Sequence, residues 1–444
     1  MALMIGVSGV RGLVGKTFTP ELVLQFAHAY GTVLEGGPVV LARDSRPSGE
    51  MFALAGAAGL AAAGCHVSDL GVAMTPTAAF AIRAGAQRGG IVITASHNPS
   101  PWNGLKFLDD QGLGPDPETV KRISTVREQR GYRSVEAGFE ALRRDSDAGE
   151  RHAAAVRAAV DVDLRALRGV RVVLDSVNGA GGIVTPAFLQ ALGCDVVPIN
   201  TEPSGVFAHA PEPVAENLAQ LCGQVRAAKA AIGFAQDPDA DRLALVDEHG
   251  RFVGEEYTLA LGAWSVLAQR KGAVAANLST SRMVDDLAQR FGTRVYRTPV
   301  GESHVARAIR RHDCVVGGEG NGGVIDPRIS PVRDSLSAMS LVLQLMASTG
   351  KRVSELVAEL PRYVMIKQKF ECPAPRIAQA VDAIATAFAG ERLDRADGVR
   401  IDLSDGWVHV RPSNTEPIVR FIAEARDADA AERIIARARA AAGL

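Results

Sequence analysis

Three short apolar runs in this chain stop abruptly in polar residues, and that repetition narrows its possible folds more than any other feature. Val39-Val40-Leu41-Ala42-Arg43-Asp44-Ser45 is the first. Val170-Arg171-Val172-Val173-Leu174-Asp175-Ser176 repeats the design, with Asn178-Gly179-Ala180-Gly181 behind it, and Ala273-Val274-Ala275-Ala276-Asn277-Leu278-Ser279 is a weaker third copy. A helical pattern follows each run, then a proline-bearing segment: Thr75-Pro76-Thr77, Pro211-Glu212-Pro213 and Thr298-Pro299-Val300. Short β-branched runs alternating with longer Ala/Leu-rich patterns predict α/β architecture. The reading is three related α/β domains in series; one large sheet with strands alike by chance is the alternative. At 444 residues the chain is too long for one ordinary core, since domains average about 150 residues.

The tail has a different pattern. A strand-like run from Val364 to Phe370, a helix, then Gly406-Trp407-Val408-His409-Val410-Arg411 and Ile418 to Ala423 predict a small α+β fourth domain. Its last helix is expected to open on an Asp429…Glu432 capping box. Linkers are expected at Arg143–His152 and around Gly254–Glu256, giving domains at 1–150, 151–255, 256–365 and 366–444. A net charge of −1 supplies no field that would recruit nucleic acid or an anionic membrane, so an anionic ligand needs a local site. Five scattered cysteines without a Cys-x-x-Cys pair fit buried thiols in a reducing compartment, and the N-terminus carries no signal-peptide pattern. The expectation is a cytoplasmic protein.

Four segments carry chemistry. Gly90-Ile91-Val92-Ile93-Thr94-Ala95-Ser96-His97-Asn98-Pro99 is a buried strand that ends in polar residues, where open α/β sheets place ligands. The Ser96 hydroxyl is a weak nucleophile that needs a base, a metal or an electropositive setting. His97 is a candidate base, although sequence neighbours rarely face each other; read alone, the segment is also an ordinary strand-ending turn.

Asp237-Pro238-Asp239-Ala240-Asp241-Arg242 lies between the apolar runs Ala230–Ala235 and Leu243–Val246. Carboxylates at alternate positions of an extended segment point the same way. A cation or strong solvation must offset their repulsion, and hard oxygen ligands favour Mg²⁺, or Ca²⁺ if further ligands join. A solvated acidic turn is the alternative, disfavoured by the apolar flanks. Arg411-Pro412-Ser413-Asn414-Thr415-Glu416-Pro417-Ile418-Val419-Arg420 gathers two guanidiniums, two hydroxyls and an amide among turn formers, the makings of a phosphate site. Gly317-Gly318-Glu319-Gly320-Asn321-Gly322-Gly323 is too glycine-dense to predict a helix or central strand, and Glu319 and Asn321 there could hydrogen-bond sugar hydroxyls or simply ride a flexible loop.

In that order the segments resemble the α-D-phosphohexomutase family, over almost the full chain. Residues 94–99, with Asn103-Gly104-Leu105-Lys106 after them, are similar to its phosphoserine loop; Asp237, Asp239, Asp241 and Arg242 to its metal loop; Gly318–Gly322 to its sugar loop; and Arg411–Arg420 to its phosphate loop. Gly6-Val7-Ser8-Gly9-Val10-Arg11-Gly12 resembles the opening loop, and Arg43-Asp44-Ser45-Arg46-Pro47-Ser48-Gly49 also fits.

The resemblance implies four domains around one cleft, the first three sharing a topology. It implies a phosphoserine at Ser96 and Mg²⁺ held by Ser96, Asp237, Asp239 and Asp241, with Lys106 and Arg11 handling protons and charge beside Ser96. Substrate contacts are implied at Arg242, Gly301, Glu319, Asn321, Arg411, Ser413, Asn414, Thr415 and Arg420. The substrates implied are a hexose phosphate and its 1,6-bisphosphate, and the expected assembly is a monomer or homodimer. The chain departs from the best-known members at Asn321 (often Ser), Gly323 (often His), Pro238 (often Gly) and Glu302, where phosphomannomutase/phosphoglucomutase enzymes place a His. The glycine-rich variant resembles a branch associated with glucosamine phosphate, especially the archaeal type, with broad mannose and glucose phosphate specificity as the alternative. Outside the family, a metal-dependent phosphatase or a non-catalytic phosphosugar-binding protein would share some of these features.

Overall fold

The computed structural model describes residues 3–6, 9–138, 140–159, 161, 164–412 and 418–444, except for the side chains at 164 and 374. Four separate sheets organise the chain. The first joins β1 (Met4–Gly6), β2 (Gly9–Leu13), β3 (Gly37–Arg43), β4 (Cys65–Val72), β5 (Gly90–Ile93), β6 (Trp102–Leu108) and β7 (Arg143–Arg144). The second joins β8 (Arg171–Asp175), β9 (Asp195–Ile199), β10 (Ile232–Gln236) and β11 (Leu243–Asp247). The third joins β12 (Val274–Asn277), β13 (Val295–Thr298), β14 (Val316–Glu319) and β15 (Gly323–Ile325).

One topology recurs in all three. The leading strand (β3, β8 or β12) pairs in parallel with the next strand on one side and with the third strand on the other. That third strand then pairs antiparallel with the fourth. The leading strands are the three apolar runs of the sequence, so the cassettes are three copies of one unit and the single-sheet alternative fails. Strands buried on both faces need continuous apolar runs: Val172, Val173 and Leu174 are fully covered, as are Val274, Ala275 and Ala276.

The fourth sheet is antiparallel: β16 (Val364–Glu371), β17 (Arg392–Asp394), β18 (Val399–Asp402), β19 (Gly406–Pro412) and β20 (Ile418–Ala425) run in the order β16-β20-β19-β18-β17. With helices Ala374–Ala387 and Ala428–Ala442 it encloses its own core around Ile401, Val410, Phe421 and Ile435. Fold class and the α+β tail are as expected; β17 and β18 carried no sequence signal.

Three local expectations are corrected. The last helix begins at Ala428 with Asp427 as its cap, accepting from Ala430 N, so Asp429 lies inside the first turn. The Arg143–His152 stretch is structured: Arg143 and Arg144 add β7 alongside β4, and Ala148 opens a helix. The glycine-dense segment supplies an interior strand after all, because Gly317 and Gly318 lie in β14, between β12 and β15. A Cβ on Gly317 would sit 2.6 Å from the Ala275 carbonyl and 2.7 Å from Ile309, so glycine there permits close packing of strand and helix.

Candidate active site

Ser96 follows β5 in a left-handed conformation, φ 50°. A non-glycine residue there costs on the order of 1–3 kcal/mol and persists only when its surroundings over-determine it. Arg46 does so. Buried against Asp44, it donates to the carbonyls of Ser96 and Asn98 at 2.7 Å and of Pro99 and Trp102 at 3.0 Å. A relay fixes the other side: Thr94 Oγ1 donates to Asp44 Oδ2 at 2.6 Å and accepts from Ser96 N at 2.8 Å.

The Ser96 hydroxyl donates to Asp237 Oδ2 at 3.0 Å, across to the second domain. His97 Nδ1 reaches Ser96 Oγ only at 3.4 Å. Burial, with Arg242 and Arg11 nearby, lowers the His97 pKa to about 2, so the ring is neutral and a poor base. Arg11 donates to Asn98 Oδ1 at 2.9 Å, placing a cation over the same loop.

Asp237, Asp239 and Asp241 are fully buried and each offers an oxygen within 4.8 Å of the others. They converge because the chain turns tightly between β10 and β11, with Ala240 left-handed at φ 54°, and not through the strand alternation expected from sequence. Lys106 Nζ bridges Asp239 Oδ2 at 2.5 Å and Asp241 Oδ2 at 3.0 Å. Burial opposes the Lys106 charge, but Asp239 and Asp241 overcome it and raise its pKa. Burial also pushes Asp237 up, reinforced by Asp241 and Asp239; against the same push, Arg333, Lys106 and Arg242 draw Asp241 well down.

A metal fits this donor set. Asp239 Oδ1 and Asp241 Oδ1 are buried with no hydrogen-bond partner, a costly condition that a hard cation relieves. Arg11 Nε, Arg242 Nε and Asn321 Oδ1 are buried without a hydrogen-bond partner too. Native proteins rarely leave such atoms unsatisfied. Here they lie on the opening, acidic and glycine-dense segments, as donors and acceptors that no hydrogen bond within the protein satisfies.

Arg333, just before helix Ser335–Thr349, links the acidic loop to the third domain. It donates to Asp241 Oδ2 at 2.7 Å and to Glu319 Oε2 at 2.5 Å, and lies 2.9 Å from Glu302 Oε2. Glu319 also accepts from Asn277 at 2.8 Å and from Gly301 N at 3.0 Å. One residue earlier, Val300 N donates to Asp397 of the fourth domain at 3.0 Å, and Asp397 pairs with Arg411 at 3.0 Å. A continuous chain of polar contacts therefore runs from Ser96 to Arg411 through all four domains.

Lys369, Arg420 and Arg411 are direct cross-strand partners on β16, β20 and β19. Like charges placed opposite one another are destabilising unless an anion joins them. Ser413, Asn414 and Thr415 lie outside the described residues, as do Val7 and Ser8 of the opening loop. Sequence reasoning gave no role to Arg46, Arg333 or Lys369. Arg333 carried a usable signal: a cation at a helix N-terminus opposes the helix dipole and calls for a carboxylate partner.

Ser96 thus lies beside three buried carboxylates, and Arg333 joins those carboxylates to Glu319, an arrangement suited to phosphoryl-transfer chemistry. Comparison with known proteins agrees. The phosphoglucomutase/phosphomannomutase models match throughout: α/β/α domain I at residues 2–133, domain II at 150–250, domain III at 255–363 and the C-terminal domain at 365–441. A Methanopyrus kandleri protein named "Probable phosphoglucosamine mutase" is 38% identical over 98% of this chain and 96% of its own. A Thermococcus kodakarensis protein named phosphoglucomutase/phosphomannomutase is also 38% identical, over 98% and 97%. The crystal structure of a Burkholderia thailandensis phosphoglucomutase/phosphomannomutase family protein superposes with TM-score 0.87 at 27% identity, covering 99% of this chain and 98% of that one. The chain belongs to the phosphoglucomutase/phosphomannomutase family. Among the described residues no helix is long and apolar enough to cross a membrane.

Proposed function

We propose that the chain is a phosphohexomutase that interconverts hexose 6-phosphate and 1-phosphate, with glucosamine phosphate as its preferred sugar. The observation that carries this is the Ser96–Asp237 contact: a nucleophilic hydroxyl at the edge of a carboxylate cradle, with cations on either side. Relatives named for glucosamine phosphate, with identities of 36–38%, support the sugar. In this reading the domains divide at 1–150, 151–255, 256–365 and 366–444, and the enzyme works in the cytoplasm as a monomer or homodimer.

Ser96 rests as a phosphoserine. The P–O bond to Ser96 breaks as the free hydroxyl oxygen of the hexose phosphate takes the phosphoryl group, its proton ending on Ser96 Oγ, which gives a 1,6-bisphosphate and a free serine. That intermediate reorients, and its other phosphoryl group returns to Ser96. Such chemistry is mostly positioning and charge neutralisation. Asp237, Asp239, Asp241 and Ser96 would hold Mg²⁺, which supplies Lewis-acid neutralisation of phosphoryl charge when bound. Lys106, kept protonated by Asp239 and Asp241, stabilises charge and is poorly suited to act as a base. Arg11 and Arg242 face the reacting phosphate; Glu319, Asn321 and Gly301 meet the sugar. Arg411 and Arg420, with Ser413, Asn414 and Thr415, grip the phosphate that is not reacting, so remote binding energy orients the reacting end.

A coupled assay with Mg²⁺ and a trace of glucose 1,6-bisphosphate tests this on glucosamine 6-phosphate, mannose 1-phosphate and glucose 1-phosphate. A preference in kcat/KM for glucosamine phosphate above about 100-fold, roughly 2.7 kcal/mol, supports the assignment. Comparable rates on all three would make the enzyme a broad phosphohexomutase. Release of inorganic phosphate without isomer would point to a phosphatase.

A further inference from the structure

Arg333 occupies a position that the mutase mechanism does not by itself require. It is buried, and its backbone N and Nε both face Glu302 Oε2, at 3.0 and 2.9 Å. Its two terminal nitrogens diverge, one to Asp241 of the acidic loop at 2.7 Å and one to Glu319 of the sugar loop at 2.5 Å. One rigid planar fork thus sets the direction of a carboxylate in each loop. A lysine, with a single charged nitrogen, cannot reproduce that geometry.

The surroundings are shaped to admit this side chain. A Cβ on Gly323 would fall 2.0 Å from Arg333 Cδ and 2.7 Å from Cγ, so only glycine at the start of β15 lets the arginine stem pass. Gly323 has no left-handed backbone requirement of its own, which leaves the stem as the reason for glycine. Glu302 caps the near side of the guanidinium, and burial raises its pKa, an effect that Arg333 opposes. Glu302 and Gly323 together therefore seat Arg333.

We propose that Arg333 is a positioning residue that couples the acidic loop to the sugar loop, with Gly323 and Glu302 forming its seat. Productive binding of the sugar by Glu319 and the orientation of Asp241 then depend on one guanidinium. The inference rests on the mutase reading above.

The test begins with Gly323→Ala, which preserves every charge and displaces only the arginine stem. Its kcat/KM for hexose phosphate is expected to fall at least tenfold. In Ser96→Ala protein, calorimetric affinity for glucose 6-phosphate is expected to fall with it, a readout independent of turnover that a purely structural role would leave in place. Arg333→Lys is expected to raise KM and lower kcat together. In an Arg333→Ser background, adding Gly323→Ala should cost nothing further, because no stem remains to displace; if that background does not fold, the Arg333→Lys and Gly323→Ala single variants decide. Full activity and affinity in both single variants, or strictly additive losses in the double, would overturn the proposal. An active parent with unaffected variants sinks this inference alone, whereas a parent that isomerises no hexose phosphate sinks the mutase reading and this inference with it.

Discussion

The guanidinium of Arg46 lies beneath Ser96 and donates to its carbonyl at 2.7 Å, fixing the serine in a left-handed turn. All five Arg46 N–H directions in the plane are engaged, four by loop carbonyls and one by Asp44. Removing the side chain strands a buried carboxylate and four carbonyl oxygens at once. Arg46→Ala should lose on the order of 3–5 kcal/mol of stability, measured by urea denaturation. Arg46→Lys should fold yet lose about 100-fold in kcat, since small misplacements of a reacting group cost that much. A fully active Arg46→Lys enzyme would remove the loop-setting role.

Ser96→Ala removes the covalent route and should lower mutase turnover by more than about 10³-fold. Because Ser96 gives only one hydrogen bond to Asp237, the variant should keep its fold. Intact-mass analysis of the parent should find one phosphate, mapped to Ser96 by peptide sequencing and missing from the variant. Substantial turnover by Ser96→Ala would exclude the phosphoserine.

Much of the candidate site was legible in the sequence because its parts are local. The segments around Ser96 and the three aspartates end or join strands, so apolar runs stopping in polar residues marked them, whereas glycine density marked the segment around Glu319. Arg46 and Arg333 escaped because their meaning lies in partners at distances of 50 and 92 residues, Ser96 and Asp241. The glycines of β14 misled for a related reason: their scarcity of side chains answers Ile309, which arrives from a separate helix. Strands β17 and β18 are short edge-side elements of mixed composition, and only pairing, of β18 with β19 and of β17 with β18, makes them strands.

The acidic cradle predicts a metal-linked rise in stability. Asp239 Oδ1 and Asp241 Oδ1 accept no hydrogen bond, so a cation bound there favours the folded state by mass action. At 100 times its Kd, Mg²⁺ should add about 2.7 kcal/mol, visible as a concentration-dependent increase in Tm. Asp239→Asn should flatten that dependence while Lys106 still pairs with Asp241. An equal Mg²⁺ response in the variant would place the cation elsewhere.

The cationic row on the fourth sheet predicts a binding effect. Lys369 lies beside Arg420, which lies beside Arg411. Lys369→Ala should raise KM roughly fivefold with little change in kcat, about 1 kcal/mol for a solvent-exposed charge contact. The same change should leave stability unaltered or slightly improved, since it relieves repulsion when no phosphate is present. Steady-state kinetics at two salt concentrations measures this, and an unchanged KM at low salt would remove Lys369 from the grip.

His409 joins the fourth domain to the third, and its protonation should weaken that junction. Nε2 faces the Asp397 carbonyl at 2.6 Å, and a carbonyl only accepts, so Nε2 carries the proton. Nδ1 must then accept from the Ser279 hydroxyl at 2.8 Å. Burial lowers the His409 pKa to about 4, even though Asp397 works in the opposite direction. Between that value and about 6.5, the ordinary histidine pKa, the unfolded chain binds a proton that the folded protein refuses. Stability is therefore highest above the upper limit and declines as pH falls through the window, by on the order of 3 kcal/mol. A proton on Nδ1 also forces the Ser279 hydroxyl to turn from donor to acceptor, so Ser279 and the neighbouring Leu278 carbonyl, held by Arg400, should respond first. His409→Gln should show a shallower decline in Tm between pH 7 and pH 4.5, and hydrogen exchange at residues 278–282 should become less sensitive to pH. Identical pH profiles for parent and variant would show that this histidine does not govern the junction.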